Sequence, residues 1–207
     1  MDIEQSNRAA AVLSAKRLEY FTITWNLLEG IISLVAGLFA GSISLVGFGV
    51  DSFIEIASGS IVLWRMTVDV DKARRERNEN IAHKLVGFSF LGLAGYLVFQ
   101  AIVRFAYQSA PEQSVPGIII AALSLVVMPL LSKAKRKVAA QLKSRALKAD
   151  SRQTDFCAYL SAIVLAGLAL NSAFGWWWAD PVAALIMATI IGNEGVNTSL
   201  GKECCDD

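Results

Sequence analysis

The sequence predicts an all-α membrane protein with six transmembrane helices and both termini in the cytoplasm. Hydrophobic residues make up 55% of the 207 residues, charged residues only 18%, and the mean hydropathy is +0.49. These values are typical of polytopic helical membrane proteins and not of soluble domains. Lysine and arginine are concentrated in alternate connections between the apolar runs. We therefore expect an integral, multi-pass protein of the cell membrane.

The apolar runs divide the chain into three parts. We predict a cytoplasmic segment at residues 1–17, a transmembrane domain at 18–195 and a short cytoplasmic tail at 196–207. A helix of about 20 residues crosses the ~30 Å hydrocarbon core of a bilayer. The predicted spans, in chain order, are residues 18–40, 42–64, 85–107, 117–131, a fifth that ends near 170, and 178–191.

Each of the first three runs is long enough to cross the membrane unaided. The first contains the polar residues Asn26 and Glu29 and ends at a tight Gly41-Ser42 link. The second carries two acids in its middle. A charged stretch at 68–77 separates it from the third run and is too polar to enter lipid.

The fourth and fifth runs are short. The fourth contains Pro129, which is expected to kink its helix, and is followed by a basic stretch at 133–148. We interpret that stretch as a cytoplasmic helical extension on the positive side of the membrane. The apolar part of the fifth run, residues 156–170, would be only about 22 Å long as a helix. Its helix must therefore begin earlier, which draws Asp150 and the polar residues after it into the membrane.

The distribution of positive charge predicts the topology. Basic residues precede the first run and fill the connections between the second and third and between the fourth and fifth runs, whereas the opposite connections contain none. This asymmetry places both termini in the cytoplasm. Arg104, near the outer end of the third run, is long enough to reach the interface. In the same run, Gly92 and Gly95 allow a second helix to approach closely and predict a homodimer formed through the membrane helices.

The second run carries Asp51 and Glu55 near its centre. A charged side chain at mid-membrane costs at least about 2.5–3.5 kcal/mol, so two of them on one helix indicate a function. Positions four apart project only about 40° apart on a helix, so both acids face the same direction. No lysine or arginine of the predicted spans is expected to reach them. We interpret the pair as half of a cation-binding site.

Two segments resemble the cation diffusion facilitator family. The stretch GSISLVGFGVDSFIE at residues 41–55 looks like the second helix of that family, which has a glycine-serine start and two ligands four residues apart. The stretch ADSRQTDFC at 149–157 looks like the start of its fifth helix. The resemblance covers all six spans. Only about a dozen residues follow the sixth run, whereas the family usually continues into a soluble metal-sensing domain, so we expect an atypical short member that lacks it.

The resemblance implies that Asp51 and Glu55 bind a metal ion together with two residues of the fifth helix. When the family pattern is laid over the chain without gaps, Gln153 falls on the usual histidine and Cys157 on the usual aspartate. Carboxylates and a thiolate ligate Zn²⁺, whereas an amide oxygen suits harder ions. Zinc is the first choice of metal, with iron, cadmium or manganese as alternatives.

Four further residues are candidate ligands. Asp155 lies about 200° from Cys157 on a helical wheel and contributes only if the helix is rotated or locally unwound. Glu29 is a fourth oxygen donor, a proton carrier or a structural hydrogen-bond acceptor. Cys204 and Cys205 in the tail could capture a thiophilic metal, but adjacent cysteines lack the spacer of a closed zinc site.

Three functions fit these observations. The first is a secondary transporter that exports a divalent transition-metal cation from the cytosol in exchange for protons, because ligation requires deprotonated groups. The second is a membrane metal-binding or sensing protein that moves no ion, and the third is a carrier of another cation. The sequence contains no arrangement of nucleophile and histidine and no phosphate-binding glycine loop, so we expect neither an enzyme nor an ATP-driven pump, and no cofactor. The net charge of +1 gives no reason to expect a nucleic-acid partner.

Overall fold

The computed structural model describes residues 3–67, 72–107, 111–142 and 144–200. These ranges form six helices, and no strand occurs in them. The helices are α1 (Ile3–Ala40), α2 (Ile43–Thr67), α3 (Lys72–Tyr107), α4 (Val115–Leu142), α5 (Arg145–Phe174) and α6 (Ala179–Ser199). The prediction of an all-α protein is confirmed.

Five of the helices are long and apolar enough to cross a membrane. Their apolar spans are Ala10–Ala40, Ile43–Trp64, Gly87–Tyr107, Val115–Leu142 and Asp150–Phe174. With 21 residues, α6 is long enough to cross but is less apolar, since it contains Asp180, Asn193 and Glu194. It packs mainly against α3. The protein is an integral, multi-pass membrane protein, and the side on which its termini lie stays a prediction.

Two helices extend well beyond their apolar runs. The basic residues after the fourth run continue α4, which runs through Pro129 for 28 residues. The fifth helix begins at Arg145, where the Ser144 side chain accepts a hydrogen bond from the Leu147 amide and caps the N-terminus. It ends at Gly175, whose φ of 66° is left-handed. The expected early start of the fifth helix is confirmed.

The helices α1 and α2 are packed with their backbones in contact. A Cβ atom added at Gly49 would lie 2.8 Å from the Leu34 amide nitrogen, and one added at Gly37 would lie 2.8 Å from the Val46 amide nitrogen. Only glycine permits this approach, as is typical of helix pairs in membranes. Within this chain Gly95, like Gly92, has no atom within 4 Å of an added Cβ, so that part of α3 is open.

The outer end of α2 is held by a carboxylate of α6. Asp180 is fully buried and accepts hydrogen bonds from the Ser42 hydroxyl (2.6 Å), the Ser44 hydroxyl (2.5 Å) and the amides of Ile43 (2.8 Å) and Ser44 (3.3 Å). A carboxylate at a helix N-terminus satisfies its free amides and complements the helix dipole. Arg104 donates to the Gly41 carbonyl beside it. These contacts fix the position of α2 along its axis, and therefore the depth of Asp51 and Glu55 in the membrane.

Candidate functional site

The two acids of α2 are buried in the middle of the helix. Asp51 is 5% exposed and Glu55 1% exposed, and both belong to the apolar span Ile43–Trp64. Glu55 Oε1 accepts a hydrogen bond of 2.9 Å from the hydroxyl of Thr154 on α5, while Glu55 Oε2 has no hydrogen-bond partner within the described residues. One oxygen of Glu55 therefore remains able to bind a further group.

The helix α5 faces these acids with Cys157. The side chain of Cys157 is 1% exposed, and its Sγ donates to Glu29 Oε1 at 3.3 Å. Gln153, one turn earlier on the same face of α5, has a buried Nε2 without a partner in the described part of the chain. Of the two α5 positions named by the resemblance, Cys157 is buried and Gln153 is half-buried with a buried amide nitrogen.

Glu29 accepts hydrogen bonds from four side chains. The donors are the Ser52 hydroxyl at 2.7 Å, the Trp25 indole at 3.1 Å, the Ser124 hydroxyl and the Cys157 thiol at 3.3 Å. They belong to α2, α1, α4 and α5, so Glu29 links four helices. Of the three roles that the sequence leaves open, this geometry favours structural acceptor, with Cys157 as the group it holds in place.

Asp155 and the tail cysteines are not brought to the site. Asp155 forms an ion pair with Arg136, and their side chains are 25% and 52% exposed. This placement agrees with its position on the other face of the helix. Cys204 and Cys205 lie outside the described residues. Within the described ranges, no three His, Cys, Asp or Glu side chains are grouped closely enough to hold a metal ion together.

One lysine from beyond the predicted fourth span lies next to the site. Lys135 of α4 is 0% exposed, and its ammonium contacts Asp150 of α5 and Glu19 of α1. It also donates to the Thr154 hydroxyl at 3.4 Å, and that hydroxyl bonds to Glu55. This lysine lies beyond the predicted fourth span, in the basic stretch interpreted as a helical extension; α4 does continue through that stretch, but it turns Lys135 inward.

The sequence does contain a signal for this orientation. On α4, Leu131, Ser132, Lys135, Val138 and Ala139 are buried and recur at intervals of one, three and four residues. The neighbouring Lys133, Arg136 and Lys137 are not buried. That spacing is typical of one helical face, so the apolar residues on either side of Lys135 predict that it points inward.

A second missed feature is a polar stripe on α1. Its members are fully buried and spaced by three or four residues, as one face of a helix requires. They are Glu19, Thr22, Asn26, Glu29 and Ser33. Both polar atoms of the Asn26 amide lack a hydrogen-bond partner among the residues that the structure describes. The inner face of α1 is therefore polar from Glu19 to Ser33, as in helices that line a polar pathway.

Comparisons with known proteins agree with this architecture. The family described as "Cation efflux transmembrane domain" matches residues 20–200. The cation-efflux pump FieF of Shewanella oneidensis is 27% identical over 169 residues, which cover 79% of this chain and 57% of that protein. An uncharacterised transporter of Methanocaldococcus jannaschii is 29% identical over 179 residues, covering 82% of this chain and 62% of that protein.

A third relative has a more specific name. The "Cadmium, cobalt and zinc/H(+)-K(+) antiporter" of Bacillus subtilis is 26% identical over 181 residues, which cover 82% of this chain and 56% of that protein. The chain thus spans between 56% and 62% of the length of these three relatives. The similarity covers the helices that carry the acids of α2 and the polar residues of α5.

Proposed function

We propose that this chain, which belongs to the cation efflux family, carries a divalent transition-metal cation across the membrane, with Zn²⁺ as the first candidate. The observation that carries the proposal is the burial of Asp51 and Glu55 on one face of a membrane helix. Two carboxylates there are costly unless a cation or protons neutralise them. The name of the Bacillus subtilis relative supports both the class of metal and an exchange for protons.

The proposed ligands are Asp51, Glu55, Cys157 and Gln153. A Zn²⁺ ion prefers carboxylate oxygen and thiolate sulfur, and the Gln153 carbonyl can supply a weaker oxygen. Glu55 Oε2 is available, because only Oε1 is engaged by Thr154. Cys157 must release Glu29 before it can ligate, and Glu29 then keeps its other three donors. Binding therefore rearranges side chains around acids that are already in place.

Protons would compete with the metal for the same groups. A carboxylate or thiol ligates only when deprotonated, so metal binding releases protons and acid releases metal. If the ligands are reached alternately from the two sides of the membrane, a proton gradient can drive the cation outward. We place this exchange at the plasma membrane, with the cytoplasmic side at the ends of α1 and α5 that carry the basic residues.

The test is Zn²⁺ flux into proteoliposomes under a pH gradient. The Asp51→Asn, Glu55→Gln double variant is expected to lower flux by about 100-fold, equivalent to about 2.8 kcal/mol of lost binding. Asp155→Asn is the matched control, since this partly exposed acid pairs with Arg136, and its flux should equal that of the parent. Equal flux in the parent and the double variant would overturn the proposal.

A second candidate is a membrane protein that binds a metal but does not transport it. Its basis is the ligand set on α5, where Gln153 and Cys157 stand in place of the histidine and aspartate that the family resemblance implies. Calorimetry and flux on the same preparation separate the two. Zn²⁺ binding that depends on Asp51 and Glu55, without flux, would identify the binding protein.

The open surface of α3 at Gly92 and Gly95 is where we place a second copy in a homodimer.

A further inference from the structure

A second group of buried charges lies on the inner side of the acids of α2. The Lys135 ammonium contacts Glu19 Oε2 at 3.3 Å and also contacts Asp150 Oδ2. The exposure of the three side chains is 0%, 0% and 1%. They come from α4, α1 and α5, so one ammonium joins three helices at the end of the bundle that the charge pattern places toward the cytoplasm.

The group contains more acidic than basic side chains. Two carboxyl groups face one ammonium, and Glu55 lies just beyond the Thr154 hydroxyl that the same ammonium contacts. Glu19 Oε1 and Asp150 Oδ1 have no hydrogen-bond partner within the part of the chain that is described. Most buried polar atoms in proteins have a hydrogen-bond partner. Each acid here has an oxygen that could bind one more cation.

A glycine lets α2 approach these oxygens closely. Gly59 lies one turn beyond Glu55 on the same face. A Cβ atom added at Gly59 would be 3.2 Å from Glu19 Oε2 and 4.0 Å from Asp150 Oδ1. Any larger residue would fill the space between α2 and the two carboxylates. Asp51, Glu55 and Gly59 thus form one track along α2 that leads from the proposed metal ligands to Glu19 and Asp150.

Thr154 connects the two groups directly. Its hydroxyl accepts a hydrogen bond from the Lys135 ammonium at 3.4 Å and donates to Glu55 Oε1 at 2.9 Å. A cation between Glu19 and Asp150 would therefore be one side chain away from Glu55. The lysine side chain has a flexible four-carbon stem, so its ammonium can leave the carboxylates without movement of the helix backbone.

We propose that Glu19 and Asp150 form an inner cation site for the transported divalent ion, and that the Lys135 ammonium occupies this site as a tethered cation. The incoming ion displaces Lys135, binds the two carboxylates, and passes along the Gly59 side of α2 to Glu55. When the ion has left, the ammonium returns and closes the path. Once both are deprotonated, the two carboxylates freed from the ammonium carry two negative charges, which match a divalent ion. This inference rests on the proposed function, because it assumes that Asp51 and Glu55 receive the ion.

The test separates the inner site from the ligands on α2. The whole chain is purified in detergent and titrated with Zn²⁺ by calorimetry in the Asp51→Asn, Glu55→Gln background. Adding Lys135→Gln should free the inner site of its ammonium. Zn²⁺ affinity should then rise by at least about tenfold, with one ion bound per chain. Adding Glu19→Gln and Asp150→Asn to that variant should abolish the gain. Arg136→Gln, at the adjacent but exposed residue, is the control and should give none.

Two results would overturn the inference. One is no gain of Zn²⁺ binding on Lys135→Gln, and the other is a gain that survives the loss of both carboxylates. Folding of Lys135→Gln is judged by gel filtration and helical circular dichroism. If it does not fold, the inner site is tested instead with Lys135→Arg in the parent chain. A guanidinium holds carboxylates in a bidentate fork and leaves them less readily. Zn²⁺ flux should then fall by about tenfold with unchanged binding at Asp51 and Glu55, and unchanged flux would overturn the inference.

The failure of this inference is distinguishable from failure of the proposed function. If flux in the parent chain depends on Asp51 and Glu55 but Lys135→Gln creates no binding, only the inner site is wrong. If flux does not depend on those acids but Lys135→Gln creates binding that needs Glu19 and Asp150, the inner site stands and the assignment of the ligands on α2 is wrong.

Discussion

The two ends of α2 are held by buried carboxylates in opposite ways. At the outer end, Asp180 accepts four hydrogen bonds, two from backbone amides and two from serine hydroxyls. At the inner end, Glu19 and Asp150 share one ammonium, and each retains an oxygen without a partner in the described ranges. At the outer end, four donors converge on one carboxylate. At the inner end, a single lysine side chain pairs with two carboxylates.

The contacts at the outer end of α2 serve the stability of the fold, and those at the inner end permit the exchange of ions. Two of the donors to Asp180 are backbone amides at the start of α2, and release of this carboxylate would break four hydrogen bonds at once. The contact of Lys135 breaks by rotation of one side chain. A transporter needs both kinds of contact, because the acids must stay at a fixed depth while the ion reaches and leaves them. The comparison predicts that substitutions at the outer end alter stability and those at the inner end alter ion binding.

The largest expected effect is that of Asp180→Ala. Four donors lose their acceptor, and at roughly 1 kcal/mol each the free energy of unfolding should fall by about 4 kcal/mol. Reversible unfolding in mixed micelles measures it. Ser44→Ala, which removes one donor, should cost only about 1 kcal/mol. Zn²⁺ flux per folded molecule should be unchanged for Ser44→Ala, and a normal stability for Asp180→Ala would remove the contrast between the two ends.

The next effect is that of Lys135→Met, which should lower the free energy of unfolding by about 3 kcal/mol, because two buried carboxylates lose their counter-ion. Adding Glu19→Gln and Asp150→Asn should restore most of that loss, since a neutral set replaces an unpaired charge. The same unfolding assay measures the recovery. If the triple variant is no more stable than Lys135→Met, the inner end is a structural anchor like the outer one.

A smaller effect is expected along the seam between α1 and α2 that joins the two ends. Gly49→Ala would place a methyl group 2.8 Å from the Leu34 amide nitrogen, where only backbone movement can relieve the clash. Overpacking of this kind costs about 2 kcal/mol. Gly192→Ala is the control, since the nearest described atom to its added methyl is the Ala94 Cβ at an ordinary contact distance of 3.5 Å, and its melting temperature should be unchanged or slightly raised. Equal loss in both variants would refute close packing at Gly49.

The smallest effect is that of Arg136→Gln. This arginine pairs with Asp155, but its side chain is 52% exposed, so the ion pair is worth about 0.5 kcal/mol at most and less in high salt. Thermal unfolding at low and high ionic strength measures it. Arg136 and Lys135 are adjacent in the chain, so a large effect of Arg136→Gln would contradict the assignment of one inward and one outward residue.

Most of the fold follows from apolar run lengths. The runs predicted the helices, and the length of the fifth run correctly required an earlier start, since an apolar stretch of 15 residues cannot span the hydrocarbon core. The orientation of Lys135 was predictable in principle, because buried apolar residues flank it at helical spacing. The contact of Asp180 with Ser42 was not, because it joins residues 138 positions apart and no local pattern specifies it.

The proline of α4 has a mechanical consequence. Pro129 has no amide hydrogen, so the carbonyl of Leu125 lacks its usual helical donor and the helix is weakest there. Ser124, on the outer side of this point, donates to Glu29, and Lys135, on the inner side, is bound to Glu19 and Asp150. A change of bend between these two contacts would therefore cost α4 no additional backbone hydrogen bond.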